Sequence, residues 1–119
     1  MKHRHHNRIL GRSASHREQL MRSLTSSLLA HGSIVTSEAK AKELRQHVEP
    51  LVTRAKQPLT LANRRHLWRQ LGHQDDIDHL VEVAQRCAKR PGGYLRLTRL
   101  PSRRADNARQ MRVDIIDAA

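Results

Sequence analysis

The chain of 119 residues contains no Phe, one Trp, one Tyr and one Cys, and it sets only 11 acidic residues against 23 Lys and Arg. A single cysteine, Cys87, excludes an internal disulfide framework and fits a reducing compartment. With Trp68 and Tyr94 as the sole aromatics, an aromatic-dominated core and the multi-base stacking platforms of single-strand binders are both disfavoured. Apolar runs are short. The longest, such as Leu28-Leu29-Ala30, fall far below the roughly 20 residues that a membrane-spanning helix needs. The opening Met1-Lys2-His3-Arg4-His5-His6 is basic but leads into no apolar segment, so no secretory signal and a cytoplasmic location are expected. No Walker-type or dinucleotide-type glycine loop and no G-x-S-x-G elbow occurs. These absences argue against an enzyme and against any cofactor or small-molecule substrate.

What the chain has in excess is arginine, which supplies 18 of the 23 bases and brings the formal charge to +12. The charge is uneven. Residues 1–22 carry a net +5 and residues 86–112 a net +8, whereas residues 38–49 balance and residues 75–82 carry −4. Like charges packed into one small domain repel one another unless a polyanion neutralises them. The guanidinium fork suits phosphate better than an ammonium does. A merely solvated basic surface explains the total, but not the gathering at two ends of the chain, and that gathering favours nucleic acid. An acidic membrane surface fits less well, because no helix is basic on one face and bulky on the other.

Periodicity divides the chain into an arm over residues 1–13 and a single domain over residues 14–119. The arm has no apolar period, and alone in water it should be unstructured until phosphates order it. Ser15 with Glu18 reads as a capping box that opens a first helix, with Leu20, Met21, Leu24 and Leu28 on its apolar stripe and Gly32 at its end. Ser33–Thr36 reads as an edge strand. Thr36 or Ser37 caps a second helix whose face is Ala41, Leu44, Val48, Leu51, Val52 and Ala55, with a kink or restart at Pro50. A third helix over Thr60–Leu71 turns Leu67, Trp68 and Leu71 inward and Arg64, Arg65 and Arg69 outward. A fourth, capped by Asp75 or Asp76 and running to about Ala88, buries Ile77, Leu80, Val81, Ala84 and Cys87. After Pro91-Gly92-Gly93 the period drops to two. Leu95 and Leu97 face one way, and Tyr94, Arg96 and Thr98 the other. Met111, Val113 and Ile115 face in, with Arg112 and Asp114 out. A loop from Pro101 to Arg109 joins these runs into an antiparallel hairpin. The expected fold is therefore α+β, with three to four helices on a small, mostly antiparallel sheet and a basic N-terminal arm.

Other chemistry is weakly supported. His3, His5, His6 and His16 crowd the N-terminus, but structural zinc wants closed Cys/His sets that one distant Cys cannot complete. Cys87 beside Ala84 and Ala88 looks like a small buried hydrophobe, not a nucleophile. Asp75, Asp76 and Asp78 are explained by helix capping. Gly92-Gly93 between Arg90 and Arg96 permits a close backbone approach with phosphates taken on either side, or is simply a helix-to-strand turn.

Several blocks in order carry a family resemblance over essentially the whole chain. They are Met1-Lys2-His3-Arg4 with Leu10-Gly11-Arg12; His16-Arg17 and Ser27-Leu28-Leu29; Ala39-Lys40-Ala41-Lys42-Glu43-Leu44-Arg45; and Val48-Glu49-Pro50-Leu51-Val52-Thr53. Ala55-Lys56, Asn63-Arg64-Arg65, Arg90-Pro91-Gly92-Gly93-Tyr94-Leu95-Arg96 and Arg103-Arg104-Ala105-Asp106-Asn107-Ala108 follow. Together they resemble bacterial large-subunit ribosomal protein seventeen. The resemblance implies an α+β domain without catalytic role that binds large-subunit rRNA near the exit of the nascent-chain tunnel, among neighbouring large-subunit proteins. The chain departs from the family pattern at Ala105, where Gly is frequent, and at His79-Leu80-Val81.

Charge and resemblance together nominate Lys2, His3, Arg4, Arg8, Arg12, His16, Arg17, Arg96, Arg99, Arg103 and Arg104 as RNA contacts. The rival reading is a basic DNA-binding regulator. It is disfavoured because the bases lie mainly outside helices and no helix-turn-helix signature is clear. Acidic residues 75–82 offer a docking face for a protein neighbour.

Overall fold

A computed structural model describes His3 and residues 7–116, and side-chain caps open its first and third helices. The order is α1 (Ala14–His31), β1 (Ser33–Ser37), α2 (Glu38–Ala55), α3 (Leu61–Leu71), α4 (Gln74–Arg86), β2 (Leu95–Arg103) and β3 (Arg109–Ile115). This is the expected α+β architecture: four helices and one antiparallel sheet of order β1-β3-β2. β1 is an edge strand, as expected, and the last strand occupies the centre.

The caps differ from the sequence reading at two helices. The α1 cap is Ser13, not Ser15: its backbone is extended and its Oγ accepts from the His16 N–H at 3.4 Å. Ser15 is already inside the first turn, where its hydroxyl cannot reach an N3 amide in the required direction. Gly32 closes the helix at φ 78°, donating its N–H to Leu28 O at 2.7 Å. A side chain there would meet the left-handed penalty. At α4 neither Asp75 nor Asp76 caps; the N-cap is His73, with no side-chain bond. Asp76 is buried and accepts from Ser26 Oγ at 2.9 Å, tying α4 to α1. α2 runs through Pro50 as one helix instead of restarting there. The ring removes only the N–H that would have bonded Gln46 O.

The core is aliphatic. Leu28 of α1, Leu44 and Val48 of α2, Leu67 of α3, Leu80 of α4 and Val113 of β3 are fully or almost fully enclosed. α2 packs against α4 and the sheet, while α1 covers α4 and α2. Four positions are placed otherwise than expected. Val81 is only partly buried and Val83 takes the inward place. Leu20 is half-exposed, and Thr25 is enclosed with its hydroxyl bonded to Met21 O at 2.7 Å. The other two are the aromatics, and they exchange environments. Trp68 is 50% exposed, whereas Tyr94 is 1% exposed. Leu67 and Leu71, one turn apart, already fill the inward face of α3, and Trp68 lies about 100° round from Leu67. Tyr94 precedes the first residue of β2, so the strand alternation does not govern it. Its phenol oxygen lies 3.2 Å from Thr53 Oγ1, and Lys56 Nζ sits 4.5 Å from its ring centroid. Cys87 is buried, as expected, with Sγ directed at Ile116 O.

The hairpin is longer than its pattern suggests. β2 continues through Pro101 to Arg103, with a register irregularity between Arg99 and Arg103, and Arg103 pairs with Arg109. The connecting loop shrinks to residues 104–108. Asn107 takes the left-handed conformation at φ 63°, so Ala105 needs no glycine. Asp106 Oδ1 accepts the Ala108 N–H at 3.1 Å and braces the turn. Of the two glycines before β2, Gly93 has φ 64°, and a Cβ at either would meet nothing within 4 Å. The turn reading therefore accounts for them, and no close approach within the chain does.

Candidate nucleic-acid interface

The described nominated residues fall into two groups, each with one arginine that reaches the N-terminal half of α2: Arg8 at Glu43 and Arg99 at Glu38. In the first group, Leu10 at φ 57° and Gly11 at φ 65° make a tight turn, closed by Arg12 N–H to Ile9 O at 3.3 Å. Arg12 Nη1 donates to Leu10 O at 2.6 Å and Arg17 Nη1 donates to Arg12 O at 2.7 Å. Both arginines thus spend part of their donor set folding this segment onto α1. Arg8 reaches α2, where its Nη1 lies 3.6 Å from Glu43 Oε2 and its backbone N–H donates to the same oxygen at 3.4 Å. His3 and His16 are exposed. Lys2 and Arg4 lie outside the described residues, as do His5 and His6.

The second group lies along the hairpin. Before the register irregularity Arg99 stands opposite Met111 and Arg96 opposite Asp114, so the pleat sends them to different faces. Arg99 Nη2 meets Glu38 Oε1 at 3.1 Å at the start of α2, where Lys42 Nζ lies 3.0 Å from the same oxygen and Arg109 Nη1 3.9 Å from Oε2. The hydrogen bond from Lys42, opposed by partial desolvation and aided by Arg99 and Arg109, holds the Glu38 carboxyl below its ordinary range. Arg103 Nη1 donates to Asn107 Oδ1 at 3.0 Å, and Arg104 is exposed at the tip.

The structure therefore gathers Arg99, Arg103 and Arg104 on one projecting hairpin and separates Arg96 from them. It adds Arg109 beside Arg99. It also places Arg112 on the outer face, where Nε donates to Ser33 Oγ at 3.0 Å and to Asp114 Oδ1 at 2.9 Å. Neither was nominated, although both belong to the +8 stretch and the alternation already sent Arg112 outward. Glu38 and Glu43, the two braces, lie about 7.5 Å apart along the helix axis and about 140° apart around it. Such solvent-facing pairs are screened by water and add little, so a phosphate can replace the carboxylate at little cost.

Between residues 7–10 and helices α1 and α2 lies an open cleft of about 530 Å³, lined by Arg8, Arg17, Arg22, Glu18, Glu43 and His47 among others. Its signs are mixed, which suits a seam of the fold better than an anion pocket. His47 Nε2 is buried there without a hydrogen-bond partner. Burial and the Arg22 charge push the His47 pKa below its ordinary 6.5, against a smaller upward pull from Glu43. A histidine held neutral on folding binds fewer protons than it does unfolded. Its contribution is therefore fully present above about pH 6.5 and is lost as pH falls below that value. Urea denaturation should show stability declining from about pH 7 to about pH 5, and His47→Gln should flatten the decline. An unchanged slope in that variant would assign the decline to other groups.

Fold and surface together define a small, strongly basic α+β domain that displays its arginines along an arm-proximal turn and a projecting hairpin. Residues 20–116 match the family model described as Ribosomal protein L17. Over 118 residues the chain is 45% identical to the large ribosomal subunit protein bL17 of Salinibacter ruber (strain DSM 13855 / M31), an alignment that covers 98% of this chain and 59% of that protein. The chain thus spans about three fifths of the length of that relative. It belongs to the ribosomal protein L17 family.

Proposed function

We propose that the chain is a non-enzymatic structural constituent of the large ribosomal subunit in the cytoplasm, binding large-subunit rRNA near the nascent-chain tunnel exit beside other large-subunit proteins. Family membership supports the ribosomal role. The observation that carries RNA binding is the hairpin, where exposed Arg99, Arg103, Arg104 and Arg109 lie within one turn and the adjoining ladder. The basic arm of residues 1–13 supplies the second surface, with Lys2, His3, Arg4 and Arg8 on phosphates and Arg12, His16 and Arg17 at its root. Contacts of this kind neutralise phosphates and release counterions, so binding weakens steeply with salt. They read backbone and shape more than base edges.

Sedimentation tests this reading. The protein should co-sediment with large subunits at physiological salt and leave them only at high salt. Failure to sediment with the subunit at any ionic strength would overturn it.

A further inference from the structure

Helix α3 presents to solvent a face that neither basic group includes. Leu61, Arg64, Arg65 and Trp68 recur at the three- and four-residue spacings that align side chains on one side of a helix. Leu61 is 64% exposed, Trp68 50%, and Arg64 and Arg65 are exposed beside them. Arg69, one turn beyond Arg65, is exposed as well, and α3 contains no Asp or Glu. The stripe spans about 10 Å along the axis, roughly two turns.

The helix is held rigidly from beneath. Leu67 and Leu71 are buried in the core. Thr60 Oγ1 accepts the Asn63 N–H at 3.3 Å, Arg54 Nη1 donates to Asn63 Oδ1 at 3.1 Å, and Arg22 Nη2 donates to Arg69 O at 2.7 Å at the other end. A large, costly indole is thus left in water on a fixed support, surrounded by cations that have no acid on their own helix to answer them. The local field is positive: partial burial, then Arg54 and Arg69, keep the neighbouring His66 imidazole below its usual pKa.

We infer that this face of α3 takes a third stretch of RNA, one unpaired nucleobase stacking on Trp68 while Arg64, Arg65 and Arg69 hold the adjoining phosphates. Charge selects a polyanion over a protein surface. The indole selects an unstacked base over a continuous duplex, whose bases offer no free face. The inference rests on the RNA-binding reading above and adds to it a preference that the arm and hairpin, made of charge alone, do not supply.

Trp68 is the sole tryptophan, so the fluorescence of the full chain reports this face directly. Titration with a single-stranded oligoadenylate should quench the emission strongly. A blunt RNA duplex carrying the same number of phosphates should bind with far less quenching. By anisotropy of labelled oligoadenylate, Trp68→Ala should weaken binding about tenfold and Trp68→Phe much less, since one base–aromatic stack is worth about 1–3 kcal/mol. Arg64→Ala with Arg65→Ala should lower the salt slope by about 1.4 units, at about 0.7 per phosphate on a single strand, without abolishing residual quenching. Binding of both RNAs with unchanged fluorescence, and with equal affinity for Trp68→Ala, would overturn the inference and leave the RNA-binding reading standing. No binding of any RNA would overturn both. Quenching or a spectral shift induced only by another large-subunit protein would assign the face to a protein contact and overturn it.

Discussion

Truncation of Tyr94 to Ala is expected to destabilise the domain by about 3–5 kcal/mol, the range for deleting a large buried aromatic. Against a total of about 5–15 kcal/mol for a domain, much of the stability would go. Three features concentrate the effect at this residue. It is the largest fully buried side chain, its hydroxyl lies 3.2 Å from Thr53 Oγ1, and its ring sits beneath the Lys56 ammonium, which also donates to Arg90 O. The ring therefore joins α2 to the turn that leads into β2. Tyr94→Phe keeps the ring and the cation above it and loses one hydroxyl, so about 1 kcal/mol is expected. Urea denaturation followed by far-UV circular dichroism separates the two variants. Equal, small losses for both would show that the pocket collapses around the missing ring.

The second large effect concerns affinity. Replacing Arg99, Arg103, Arg104 and Arg109 together by Ala should reduce the slope of log K against log salt by about three units, at roughly 0.7–0.9 per phosphate released. Stability should barely change, because the Glu38 pairs with Arg99 and Arg109 are exposed and Lys42 remains on that carboxylate. Replacing Arg12 and Arg17 should behave differently. Their Nη1 donors close the turn onto α1, so a stability loss should accompany the weaker binding. Filter binding to large-subunit rRNA over a salt series, with thermal melts of each variant, distinguishes the cases. An unchanged slope in the hairpin variant would place the phosphates elsewhere.

Features written in local sequence were legible. The two arginine clusters, Gly32 as the end of the first helix and the outward Arg112 all follow from neighbours within a turn or a strand. What depends on a distant partner was not. Asp76 looks like a cap until Ser26 of another helix is brought against it. Ser15 has Glu18 three residues on and so reads as the capping box, whereas the extended backbone at Ser13 makes Ser13 the cap. Trp68 and Tyr94 were each assigned to the wrong side: for Trp68 the helical phase left two adjacent apolar candidates, and Tyr94 lies one residue outside the period applied to it. The charge pattern showed where the arginines are dense, but it could not show which N–H groups the chain consumes itself.

The strand order has a consequence for synthesis. β3 separates β1 from β2, with Ser33 opposite Asp114 and Leu95 opposite Ile115, so neither outer strand has a strand neighbour until residues 109–115 emerge. Four helices can collapse before that moment, but the sheet closes only by late insertion between two waiting ribbons. A nascent chain stalled short of Arg109 would carry a helical half-domain with open β edges, the state in which such a protein is most prone to self-association.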